Sequence, residues 1–165
     1  MIGELKIWNQ SAPITLKVST FLAYYFAIST LFSLAGIPLF GFGSGLLGVI
    51  AVVFSIIGLG GGLLLLLALA LMVGWAVLGY GIANAKRTAY KIARIVGYVA
   101  VGGAVVAWGL NMFRVFSADS LSATGTFFAA AGLTLDSLLG VVLDAAFLAG
   151  LLHPISKEYE GFWFE

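Results

Sequence analysis

Between Lys17 and Lys86 no residue carries a charge. Soluble domains place charges at roughly a quarter of their positions. An uncharged stretch of this length therefore cannot supply a folded surface that faces water. The rest of the chain agrees. Of its 165 residues 62% are hydrophobic and 9% charged, and mean hydropathy is +1.12. The expectation is an integral membrane protein whose outside faces lipid, of a length that suits one bundle. A cleaved signal peptide does not fit, because Glu4 precedes Lys6 and the first long apolar run starts only after Lys17.

Composition removes much chemistry. Without cysteine there is no disulfide, Cys-ligated zinc, iron–sulfur cluster or thiol nucleophile. His153 is the single histidine, too few for bis-His haem or a His-rich metal site. No lysine lies inside an apolar run, so a retinal Schiff base has no attachment point. A net charge of +1 argues against nucleic acid. Neither a Gly-x-Ser-x-Gly elbow nor His-Glu-x-x-His occurs. Gly58-Leu59-Gly60-Gly61-Gly62 lacks the lysine of a phosphate-binding loop. The reading is non-enzymatic, with no cofactor and no metal.

Crossing the hydrocarbon core takes roughly 20 apolar residues. Residues 1–17 read as an amphipathic lead lying on the membrane surface, with Ile2, Leu5 and Trp8 at helical spacing, broken by Pro13. Spans are expected at about 18–37, 63–84, 92–113 and 133–152. The apolar stretch 46–57 is short for a span, and glycine-rich chain follows it. Its assignment depends on where the cations fall. With two spans between Lys17 and Lys86, seven of the eight basic residues share one side and Arg114 alone lies opposite. With three spans the split falls to five against three. The positive-inside rule favours the first layout. Residues 46–57 then form a short interfacial or re-entrant helix, and both termini are cytoplasmic. Residues 114–132 read as an outer loop, with a turn at Ser117-Ala118-Asp119-Ser120 and a short helix over 127–131. His153-Pro154 ends the fourth span, and 153–165 is a cytoplasmic aromatic tail suited to the interface. The fold class is an all-α transmembrane four-helix bundle in the cell membrane.

Four groups of residues are candidates for function. Lys86, Arg87, Lys91 and Arg94 fall within about 140° of one another on a continuous helix, with Tyr90 inside the arc. Such a face is first a topology signal with generic contact to anionic lipid, and second a specific lipid or partner site. Asp144 sits near the middle of the fourth span, where a carboxylate costs a few kcal/mol on insertion scales. It is either a neutral acid making one interhelical hydrogen bond, with Ser29, Thr30 or Trp75 at similar depth, or the centre of a proton or cation relay. Asp136, two turns away, reads as a first-turn acid complementing the helix N-terminus, or as the mouth of a polar crevice. Gly103, Ala107, Ala146 and Gly150, with Gly58/Gly62 and Ala145/Ala149, have the four-residue spacing that lets helices approach closely, within the bundle or against another chain.

Three segments resemble a broad family of small, functionally uncharacterised prokaryotic four-span membrane proteins. They are Ala12-Pro13-Ile14-Thr15-Leu16, then Gly79-Tyr80-Gly81-Ile82 running into Lys86-Arg87 and Ala89, and Leu152-His153-Pro154 to Tyr159. The likeness covers most of the chain and implies a topology, with no activity attached. The chain departs from it at Ala89 and Tyr90, after the basic cluster where relatives often place tryptophan, and at Asp144, where an amide is common.

Two functions follow. The first is an accessory or scaffolding subunit that packs against other integral membrane subunits or itself and against lipid. Missing chemistry, small-residue faces and the aromatic tail support it. The alternative is a small carrier or channel for a proton, ion or lipid, centred on Asp144.

Overall fold

The computed structural model describes residues 7–34, 61–117 and 124–163. Among them are five α-helices and no strand: α1 (Ile14–Leu34), α2 (Gly61–Ala83), α3 (Arg87–Ser117), α4 (Thr124–Leu152) and α5 (Pro154–Trp163). The first four contain segments long and apolar enough to cross a membrane, at Ile14–Phe32, Leu65–Ala83, Arg87–Leu110 and Leu135–Leu152. The segment 46–57 lies outside the described residues.

Helix α1 starts earlier than its composition suggests. Asn9 folds the preceding chain into a turn, with its side-chain oxygen accepting from the Ser11 amide at 3.0 Å. The Pro13 carbonyl then accepts from Lys17 N at 3.1 Å. A proline at a helix start loses nothing, because the first amides have no partner inside the helix. Pro13 therefore opens α1 where it was expected to separate a surface helix from a span. Thr15 and Lys17 are the first turn of the crossing helix. The apolar window accordingly begins at Ile14.

The other boundaries follow similar rules. Helix α3 runs on to Ser117, and α4 begins at Thr124. The helix expected over 127–131 is thus the start of α4, and the expected turn at 118–120 lies outside the described residues. Asp136 lies well inside α4, whose first turn holds no acid. This overturns its reading as a first-turn acid.

Helices α2 and α3 are joined by a tight hairpin. Ala85 adopts φ 52°. Its amide bonds Ile82 O at 3.1 Å and the Lys86 amide bonds Gly81 O at 2.9 Å. These are the two bonds of a helix stop built on a left-handed residue. The Lys86 carbonyl then accepts from Tyr90 N at 3.1 Å and starts α3. The hairpin is close: a Cβ on Gly81 would collide with Ala89 Cβ. Lys86 is therefore the capping residue at a chain reversal, and Arg87, Tyr90, Lys91 and Arg94 follow it on one unbroken helix.

In the core, α1 and α2 pack extensively, as do α3 and α4, and α1 also lies along α4. Three rings tie α1, α2 and α4 together. Phe26 and Trp75 have centroids 4.9 Å apart, and Trp75 and Phe147 5.2 Å apart. Helix α3 turns inward Tyr90, Ala93, Gly97, Ala100, Ala104 and Ala107, all buried and spaced alternately three and four apart. That spacing is a helix-packing seam, and its small side chains let backbones approach. Ala107 belongs to it while Gly103 is half-buried beside it. The outward faces are apolar. Leu66, Val77, Ile95 and Phe113 are 65%, 60%, 65% and 70% exposed.

Candidate functional site: a buried carboxylate in a polar track along α4

Helix α4 buries Ser137, Gly140, Asp144, Phe147, Leu148 and Leu151, one face at 3.6-residue spacing. Asp144 is 3% exposed, and its Oδ2 has no hydrogen-bond partner. At 1.5 Å per residue it lies about 14 Å from Leu135 and about 12 Å from Leu152, the middle of the apolar segment.

Two contacts set what surrounds it. A Cβ on Gly97 would lie 3.0 Å from Leu148 Cδ1, and the Tyr90 hydroxyl donates to Leu151 O. Asp144, Leu148 and Leu151 lie within about 60° of one another on α4, so Asp144 belongs to the side that meets α3. The antiparallel register brings it level with Ala100. On α1, Ser19 Oγ donates to Phe147 O at 2.9 Å, which brings Asp144 level with Leu22. The expected partners stand elsewhere. Thr30 donates to Phe26 O at 2.7 Å, Trp75 sits in the aromatic group, and the register sets Ser29 level with Ser137. The cause is the early start of α1, which carries Ser29 and Thr30 away from mid-depth.

Polar groups continue along α4 to its basic end, and there each is paired. Pro154 has no amide hydrogen, so the Gly150 carbonyl loses the donor that a continuing helix would give. Ser156 of α5 replaces it, donating to Gly150 O at 2.6 Å, and its oxygen lies 2.7 Å from Thr15 Oγ1. The Ile155 amide turns to His153 Nδ1 at 3.3 Å, and Tyr90 supplies Leu151 O. His153 thus caps α5: its carbonyl also accepts from Ser156 N and Lys157 N, at 2.9 and 3.1 Å. The end of α4 is completed by hydroxyls from α1, α3 and α5. Space is tight there. A Cβ on Gly150 would meet Ser19 Oγ and lie 2.6 Å from Thr15 O. Gly150 is hence the close-approach residue expected from its spacing, with Ala146 half-buried one turn away.

The basic cluster divides. Lys86, Arg87 and Lys91 are exposed. Tyr90 is fully buried, which removes it from any face offered to lipid or a partner. Arg94 turns the same way, with Cζ 5.6 Å from the Tyr90 ring centroid and Nη1 3.7 Å from Glu160 Oε2 of α5. Tyr159 packs half-buried on the core and takes a bond from Asn9 Nδ2 at 3.4 Å. The described part of the aromatic tail, α5, packs onto α1 and α4. Asp136 is half-buried and interacts electrostatically with Tyr25.

Among the described residues no group of three or more His, Asp or Glu side chains could hold a metal ion. Ser19, Ser156 and the Ala100–Ala104 part of the seam were not singled out beforehand. The alternating three-and-four spacing from Tyr90 to Ala107 was the available signal for the seam, and the amide missing at Pro154 for Ser156. No family model, curated protein or solved structure matches the chain.

Proposed function

We propose that the chain is a multi-pass protein of the cell membrane, with both termini cytoplasmic, that carries protons through Asp144 and catalyses no reaction. The observation behind this reading is the 3% exposed carboxylate with an unpartnered oxygen at mid-depth. An ionisable group inside a bundle is expensive and marks an ion or proton path more often than a packing device. Polar groups also lie on either side of it. Ser137 is about 10 Å away along α4, and the Ser19 hydroxyl is bonded one turn toward the basic end. The orientation rests on the positive-inside count.

Proteoliposomes loaded with a pH-sensitive dye and given a pH gradient test it. The wild type dissipates the gradient, and Asp144→Asn falls to the rate of empty vesicles. Equal rates for the two proteins sink the reading.

A scaffolding role is the second reading. Two of its supports are partly used within the chain, since Ala107 and Gly150 are buried in helix contacts and α5 packs on the bundle. Exposed Lys86, Arg87 and Lys91 still favour it, as a surface for anionic headgroups or an acidic partner. A lone monomer after mild-detergent extraction would remove it.

A further inference from the structure

An open apolar groove of about 320 Å³ runs between α1 and α4 at the basic end, the lower part of the ligand-pocket range of about 300–1,000 Å³. Ile14 and Val18 form one wall and Ala146 and Ala149 the other, with His153 at its end. The trough exists because α4 carries alanine and glycine here, where other outward faces carry leucine, valine and phenylalanine.

Its polar end has a definite chemistry. His153 Nδ1 accepts the Ile155 amide, so the ring proton lies on Nε2, which is a donor. Lys157, four residues on, is exposed. Lys17 follows Pro13 by one helical turn and adjoins Val18 in sequence. Glu160, the nearest acid on the inner side of α5, is taken by Arg94, and Glu158 lies about 100° round the helix from Lys157. An apolar trough ending at an imidazole, with Lys17 beside Val18 in sequence and Lys157 bonded through its amide to the His153 carbonyl, is the complement of an anionic amphiphile.

We propose that this groove seats one acyl chain of an anionic phospholipid, whose phosphate is held by Lys17, His153 and Lys157. Seating depends on α1 and α4 crossing a bilayer, and not on Asp144 carrying protons. The site is also separate from the exposed turn at Lys86 and Arg87.

The test uses full-length protein reconstituted in vesicles of equal phosphatidylglycerol and phosphatidylcholine, extracted in mild detergent, with retained lipid counted by native mass spectrometry. Wild type keeps one phosphatidylglycerol per chain in preference to phosphatidylcholine. Ala149→Phe, at an exposed position, fills the trough. Lys17→Ala combined with Lys157→Ala removes the cations. Each lowers retained phosphatidylglycerol roughly tenfold, with unchanged thermal melting. Lys86→Ala combined with Arg87→Ala leaves retention unchanged. Equal retention of the two lipids overturns the proposal. So does a filled groove that still holds the lipid, or a loss that follows Lys86 and Arg87. Protein that fails to enter the vesicles at all overturns the membrane reading itself.

Discussion

On the side of its basic end, α4 has its carbonyls paired by hydroxyls from α1, α3 and α5; on the side of mid-depth, where alanine and glycine of α3 line the contact, one carboxylate oxygen has no partner. On the first side Ser19 bonds Phe147 O at 2.9 Å and Ser156 bonds Gly150 O at 2.6 Å. On the second side, Asp144 stands level with Ala100, which has no polar side chain to offer. Hydroxyls that satisfy carbonyls stabilise a bundle, because a buried acceptor left alone costs about 1–3 kcal/mol. An unsatisfied carboxyl does the opposite. The difference separates groups kept for the fold from a group the fold tolerates.

The largest expected effect comes from breaking the paired end, where α4 meets α1. Gly150→Val puts atoms against the Thr15 backbone carbonyl, which cannot rotate away. It should cost about 3 kcal/mol, read as a lower melting temperature in detergent. Indifference to this change would mean that α1 and α4 do not touch there. Tyr90→Phe comes next. It removes the donor to Leu151 O and should cost about 2 kcal/mol by the same measurement. A much smaller loss would place water or another donor at that carbonyl. Ala85→Gly should stabilise by about 1 kcal/mol, since a left-handed φ of 52° suits glycine. A loss of stability would show that the hairpin is not closed by that residue. The smallest effect is expected at Asp144 itself. Asp144→Asn should leave melting within about 0.5 kcal/mol, because no hydrogen bond to its Oδ2 is lost. A large destabilisation would show that the carboxyl is paired, and would erase the contrast between the two sides.

Much of this was legible in the residues, and the failures share a cause. The second and fourth helices end close to their expected places because Ala85 and Pro154 act locally. The first starts earlier than expected, and the third is longer than expected at both ends. Lys17, Arg87 and Lys91 read as residues outside a span, yet a charge at a membrane boundary does not stop a helix. Only capping chemistry does, and at these positions it sits at Pro13 and Lys86. Asp144 was visible as an acid amid apolar residues. Its surroundings were not, since they depend on the register of α4 against α1 and α3. That register is decided by Gly150, Gly97 and Tyr90, which carry no mark of which helix they will meet. The basic cluster misled for a related reason. Its arc gave no sign of which part would face inward, and the fold buries Tyr90 and turns Arg94 toward α5.

The carbonyls at the end of α4 have a consequence for how the chain is made. Donors for Gly150 and Leu151 come from Ser156 and Tyr90, and Phe147 O draws on Ser19. Two of these donors precede α4 in synthesis and one follows it. As the chain leaves the ribosome, α4 meets helices already waiting with two of the hydroxyls, but its last open carbonyl is closed only after Pro154–Trp163 has emerged. Translation that stops at Leu152 delivers all four long helices and still leaves an unfinished bundle.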